Sequence, residues 1–506
     1  MAKGVVKMTV VTKSRGRLID LVISVVLFIM LGYGLQVGFD SQAQTHEKPA
    51  EPPKEKSTDL IKYMGAGSCN ATGCHGQLDP RKRKFSILQD EYWRWYWNAE
   101  KEKDKLDFGH STAFENLKTP ESRRIAKNLG LKSPETEPRC LACHAMLVDD
   151  NRKGPNYDLT EGVTCEGCHG PAEQWLGPHT RKDWDKKKGA AYGMLDTENL
   201  VKRAERCLVC HQGTDKYSVD HELIGAGHPR LSFELDSYSE LMPIHWIVPK
   251  DERNWNGART WAIGQAVSLR SQLDLLSSSR KSQAVLWPDL IHFDCYACHH
   301  DVVDRVKGIS EDDKKYQRWR FKDYSGKKPG RLVWNAASYS VFRHAVREIA
   351  PDKAGVLDDL VPKFHESLLG KASPSEFEQS MAKLQQLSGE LVSTVEKHQF
   401  TQKDVWSIMR RITGDGSAIA NAGFQSAEQA VLAITSLQES YARTAGSTPN
   451  AKGITASINQ LNDDIALGRK FNLEQFIQHL AALRKILEPE VPPMSGAVPT
   501  VPKQAS

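Results

Sequence analysis

A chain of 506 residues has room for two or three domains, each burying a core of its own. With 40% apolar residues, 8% aromatics and a mean hydropathy of −0.50, the composition excludes a polytopic membrane protein. The formal charge of +5 carries no nucleic-acid reading, because five basic and only two acidic residues fall within 1–43 and the remainder is nearly balanced.

Lys3, Lys7, Lys13, Arg15 and Arg17 precede the apolar run from Leu21 to Leu35, and Ser41-Gln42-Ala43 offers small residues where a signal peptidase reads. Residues 1–43 are expected to be a signal peptide. Since Leu21 to Phe39 is nearly long enough to span a bilayer, a retained signal anchor is the alternative. Either way the protein is expected to be exported, to the periplasm or another extracytoplasmic space. Residues 44–60 are rich in Pro, Lys and Glu and read as a disordered linker, with His46 a solvated bystander.

Residues 61–325 show weak hydrophobic periodicity beyond short helical pieces such as Glu121 to Leu129, and Gly, Pro and charged residues are scattered through them. This would make a poor core unless something else supplied apolar surface. The ten cysteines supply the reason. They fall as Cys69/Cys74, Cys140/Cys143, Cys165/Cys168, Cys207/Cys210 and Cys295/Cys298, and each pair is followed at once by a histidine: His75, His144, His169, His211 and His299. Disulfides explain an even count but not the histidines, and zinc sites combine two separated ligand pairs. Four pairs are CxxCH, the spacing of covalent c-type haem: two thioether bonds and one axial iron ligand. The first, CNATGCH, is the longer variant CxxxxCH. Five haem c groups are therefore expected on a domain spanning 61–325, with iron as the metal. Their porphyrins would form the missing core. The aromatic run Tyr92 to Trp97 reads as packing against them.

Beyond about Arg331 the character changes. Trp334 to Ile349, Pro374 to His398, Asp404 to Ile412, Ala427 to Ala442 and Leu473 to Leu487 carry apolar residues at helical spacing, and Thr401 to Asp404 resembles a capping box. A helical domain without cysteine is predicted over 331–487, in which His344, His365, His398 and His479 are structural, with His344, near the haem region, a spare axial candidate. Residues 488–506 are a Pro-rich disordered tail. The fold class is thus mainly α, with a multihaem cytochrome domain of short helices followed by a helical bundle.

The far side of each iron decides the function. A second histidine favours electron transfer, whereas an open position permits catalysis. His110, His179, His221, His228, His245, His292 and His300 are seven candidates for five irons, with Met64, Met146, Met194 and Met242 a minor option.

The order CxxxxCH, Phe108-Gly109-His110, CLACH, GVTCEGCHGP with His179, and RCLVCH resembles the tetrahaem cytochrome c-554 family, related in haem packing to hydroxylamine oxidoreductase and pentahaem nitrite reductase. The likeness covers about Gly65 to His245. It implies that His179 ligates the iron held by His75, that His110 ligates the iron held by His211, and that the second haem can lack a side-chain ligand, leaving the iron of His144 as the candidate open site. It also implies a downstream ligand for the third haem, that of His169. His221, His228 and His245 compete there; His228 is favoured because glycines before it and a proline after it allow close backbone approach. The fifth motif has no counterpart in that pattern, and His245 and His292 are its candidate ligands. The expected function is electron transfer between redox protein partners, with the helical domain a docking or oligomerisation platform and no nucleic acid involved. The rival is an oxidoreductase acting on a small nitrogen, oxygen or sulfur compound at one five-coordinate haem, with Arg139 or Lys132 as helper. A sensory haem protein is the third possibility.

Overall fold

The computed structural model describes residues 60–79, 89–101, 109–243, 245–246, 254–281, 287–295, 298–299, 332–446, 450–466 and 471–488. The export segment, the Pro-rich linker, the C-terminal tail and His300 lie outside them. All described residues belong to one compact unit, 53–506. It is mainly helical, with no β-strand among the described residues, only two isolated bridges, Tyr63 with Lys153 and Phe293 with Trp334.

Ten helices carry the architecture. In the first half are α1 (Glu91–Lys101) and α2 (Leu200–His211). A long helix, α3 (Asn256–Lys281), comes next. The bundle follows as α4 (Ala337–Ile349), α5 (Pro351–Leu368), α6 (Pro374–Lys397), α7 (Gln402–Gly414), α8 (Phe424–Ala445), α9 (Ala451–Ala466) and α10 (Leu473–Ile486).

Local chemistry fixes the bundle ends. Ser373 caps α6 while Glu376 reaches back to the Ser373 N–H, and Pro374 occupies the first helical position, where its missing donor costs nothing. Thr401 and Asp404 do the same for α7. The apolar stripe of α6 (Phe377, Met381, Leu384, Leu391 and Val395) is buried. Helix α5 contains Pro362, yet its buried residues Leu357, Val361, Phe364 and Leu368 keep helical spacing.

Helix α3 falls within 61–325 yet belongs to the bundle core, packing chiefly along α6 and also on α2, α4 and α8. Trp261, Ala262, Ile263, Val267, Leu269, Leu273 and Leu276 are fully buried, and so nearly are Thr260 and Gln265. A helix enclosed on most sides has no polar face to set against an apolar one, so its periodicity is weak. The haem-region boundary drawn near 325 therefore does not coincide with the edge of the bundle core.

The preceding residues are organised differently, as short helices around small clusters such as Phe114, Leu117 and Leu141, or Ile125, Leu223 and Ala226. Two large cavities open among them. One of about 810 Å³ lies among the second, third and fourth cysteine motifs. Another of about 750 Å³ lies at the fifth.

Candidate haem sites

Three of the CxxCH motifs end short helices: Pro138–His144, Cys165–His169 and α2. Residues i, i+3 and i+4 share a helix face, so both thiols and the imidazole of each motif project to the same side. The longer first motif reaches a comparable end by another route. Cys69 closes a 3-10 turn (Ala66–Cys69), and a tight turn from Ala71 to Cys74 takes up the extra residues. All ten cysteines are free thiols.

Opposite these histidines stand others. Ring centres lie 6.2 Å apart for His75 and His179, 6.0 Å for His110 and His211, 6.3 Å for His144 and His228, and 6.2 Å for His221 and His299. An imidazole nitrogen sits about 2 Å from a first-row metal ion and about 1.1 Å from its own ring centre, so two imidazoles on opposite sides of one ion have centres about 6.2 Å apart. The four pairs have that separation. His169 and His245 line the same cavity and influence each other's charge.

Orientation supports the same use. The Nδ1–H of His144 donates to the Ala113 carbonyl, that of His179 to Trp175, that of His228 to Pro229 and that of His245 to Pro243, at 2.6–3.0 Å. Fixing Nδ1 in this way leaves Nε2 with its lone pair for a metal. Burial also keeps the rings neutral: it pushes both His169 and His211 down to about 4, helped by the neighbouring histidines.

The surroundings suit a flat, largely apolar group with an anionic edge. Trp95, Val163, Leu195, Leu200 and Trp246 border the first cavity beside Arg203, Arg206 and Arg259. The Arg259 Nε is buried without a hydrogen-bond partner, as is the Gln212 Nε2 at the second cavity. Such orphaned donors fit carboxylates brought by a bound group.

Two ligand expectations meet a different arrangement of side chains. His228 stands opposite His144, not His169, so a histidine faces the second motif. The cause is the docking of the helix His221–Ala226 on Pro120–Asn128: Leu223 and Ala226 pack on Ile125, and Asn128 donates to the Ala226 carbonyl. Gly227, with φ at +123°, then turns His228 toward the second motif. The fifth motif faces His221, rather than His245 or His292. His221 begins that same helix, and its N–H donates to Asp289 beside the fifth motif. His245 is drawn to the first cavity by its edge contact with Trp95, at 5.3 Å. His292 is buried at the second cavity wall. His344 is a bundle residue beside Asp415 at 3.0 Å.

The sites adjoin one another. The Cys69 and Cys165 side chains are neighbours, as are those of Cys143 and Cys210, which brings the first motif beside the third and the second beside the fourth. Cys143, Cys168, Cys207 and Cys210 line one cavity. His211 borders both cavities and so also adjoins the fifth motif.

Paired cysteines followed by a histidine, set against a second imidazole at the spacing of a shared ion, define a c-type cytochrome. The family model for cytochrome c554 and c-prime matches residues 100–170, which include His110 and the second and third motifs, and supports a c-type cytochrome. Covalently bound haem c, with iron, is what that likeness implies. No curated protein and no solved structure matches the chain.

Proposed function

We propose that the protein is an exported cytochrome carrying five haem c groups, which passes electrons between two redox partners. The observation that carries this reading is the set of histidine pairs at 6.0–6.3 Å, including His228 opposite His144, where the resemblance allowed an open iron. The iron of such a group takes up and releases single electrons with little change in structure when both axial positions are filled. The chain contributes by holding the imidazoles of His144, His179, His228 and His245 at Nδ1.

The contacts between motifs make the fourth site a junction. The first site leads to it through the third, and the second and fifth each adjoin it. This arrangement is branched rather than a single file, which suits a carrier that collects or divides electrons. Arg139, a candidate helper for substrate chemistry, is engaged by Asp220 at 2.5 Å and by Glu222 at 3.4 Å. The export segment, cleaved or kept as an anchor, belongs to the same proposal; among the described residues no helix is long and apolar enough to cross a membrane.

Electron paramagnetic resonance of the oxidised protein, together with carbon monoxide addition to the reduced form, tests the reading. Low-spin signals throughout and no carbon monoxide binding are expected. A high-spin haem that binds carbon monoxide in the unaltered protein would replace the carrier with an enzyme.

A further inference from the structure

The partner of His75 differs in kind from those of its counterparts. Its Nδ1 lies 3.1 Å from the Glu91 carboxylate. Five other site histidines have neutral groups there: carbonyls at His144, His179, His228 and His245, and the more distant Thr197 hydroxyl at His169. Glu91 is the first residue of α1, where the free N–H groups and the helix dipole favour an anion. Its side chain is only 16% exposed.

We propose that Glu91 is a positioning residue that lowers the reduction potential at the first attachment site, making it lower than at the second site, whose histidines both meet neutral carbonyls. A carboxylate accepting the Nδ1–H of a metal-bound imidazole raises the basicity of Nε2, and a more basic ligand favours the ferric over the ferrous ion. The inference rests on the proposed reading that His75 and His179 share an iron. It deepens that reading by giving the path a direction: electrons would enter at the first site and drain toward the junction.

The test uses the full-length holoprotein. The low-spin signal lost in His179→Ala identifies the first site, and its potential is followed by redox titration monitored by paramagnetic resonance in wild type, Glu91→Gln and Glu91→Asp. Gln keeps the size and an acceptor oxygen but removes the charge. The expected result is an upward shift of the first site in Glu91→Gln, none at the second, and return toward wild type in Glu91→Asp. An unchanged or lowered first-site potential in Glu91→Gln with low-spin coordination intact overturns the proposal, as does an equal shift at all sites. Failure of the underlying reading looks different, because His179→Ala would then leave every low-spin signal in place.

Discussion

The indole of Trp95 stacks on the imidazole of His110, with ring centres 5.6 Å apart and planes within 4°. Its edge meets His245 at 5.3 Å, so one buried side chain braces two histidines that line the first cavity. The brace is itself fixed. Trp95 Nε1 donates to the Val163 carbonyl at 3.2 Å, and the Val163 N–H donates to the His110 carbonyl at 2.8 Å.

Trp95→Ala is expected to destabilise the protein by about 3–5 kcal/mol, the range for emptying a buried tryptophan site. It should also disturb two low-spin signals together, since both histidines lose the same support. Denaturant unfolding and paramagnetic resonance of one preparation check this. Trp95→Phe, which keeps a ring but loses the Val163 hydrogen bond, should be milder on both measures.

His228→Ala and His221→Ala should each convert one site to a high-spin form that binds carbon monoxide when reduced. The sites affected differ, being those of His144 and His299. A double variant should bind two equivalents. Titration of the reduced variants with carbon monoxide, read in the visible spectrum, gives the count.

Glu166, inside the third motif, is nearly fully buried and accepts three backbone N–H groups: Met64 and Ala172 on Oε1, at 2.8 and 2.7 Å, and Gly65 on Oε2, at 2.8 Å. It ties the segment leading into the first motif to the third. Glu166→Ala leaves all three donors unpaired, at about 1–3 kcal/mol each where water cannot enter. A large fall in the thermal midpoint is expected, with reduced haem occupancy by pyridine haemochrome assay.

His344 and Asp415 make the bundle sensitive to acid. Burial, opposed by Asp415, keeps His344 below its ordinary value. Burial pushes Asp415 up, but His344 and Arg343 outweigh it and hold the carboxyl low. Both groups then bind fewer protons folded than unfolded on acidification, so both contributions fall as pH drops. The His344 contribution begins to fade near its unfolded value of about 6.5, that of Asp415 only below about 4. The urea midpoint should therefore decline from pH 7 to pH 5, and His344→Gln should lessen that decline.

What the sequence reveals follows the range of the interactions involved. Haem attachment depends on residues within five or seven positions, so all ten cysteines and their histidines are legible without a fold. The places of His179 and His110 become legible through the family resemblance. The partners of His144 and His299 are not, because they depend on where the helix His221–Ala226 docks, and nothing local to His228 or His221 encodes that. Capping boxes and the stripe of α6 mark the bundle helices clearly. Helix α9 had a usable signal in Ile454, Ile458 and Leu461, all buried, whereas α3 lacks a polar face to reveal it.

The position of α3 bears on how the protein is made. Cys295 and Cys298 lie in the connection between α3 and α4, so the fifth site is flanked in the chain by two helices of a single core. That core also takes in α2, which carries the fourth motif, and α10. A chain cut after Tyr324 would keep α3 while losing α4 to α10, leaving Trp261, Leu269 and Leu273 without cover. Such a fragment should aggregate rather than serve as a minimal cytochrome, which makes the bundle a condition of maturation as well as a neighbour of the sites.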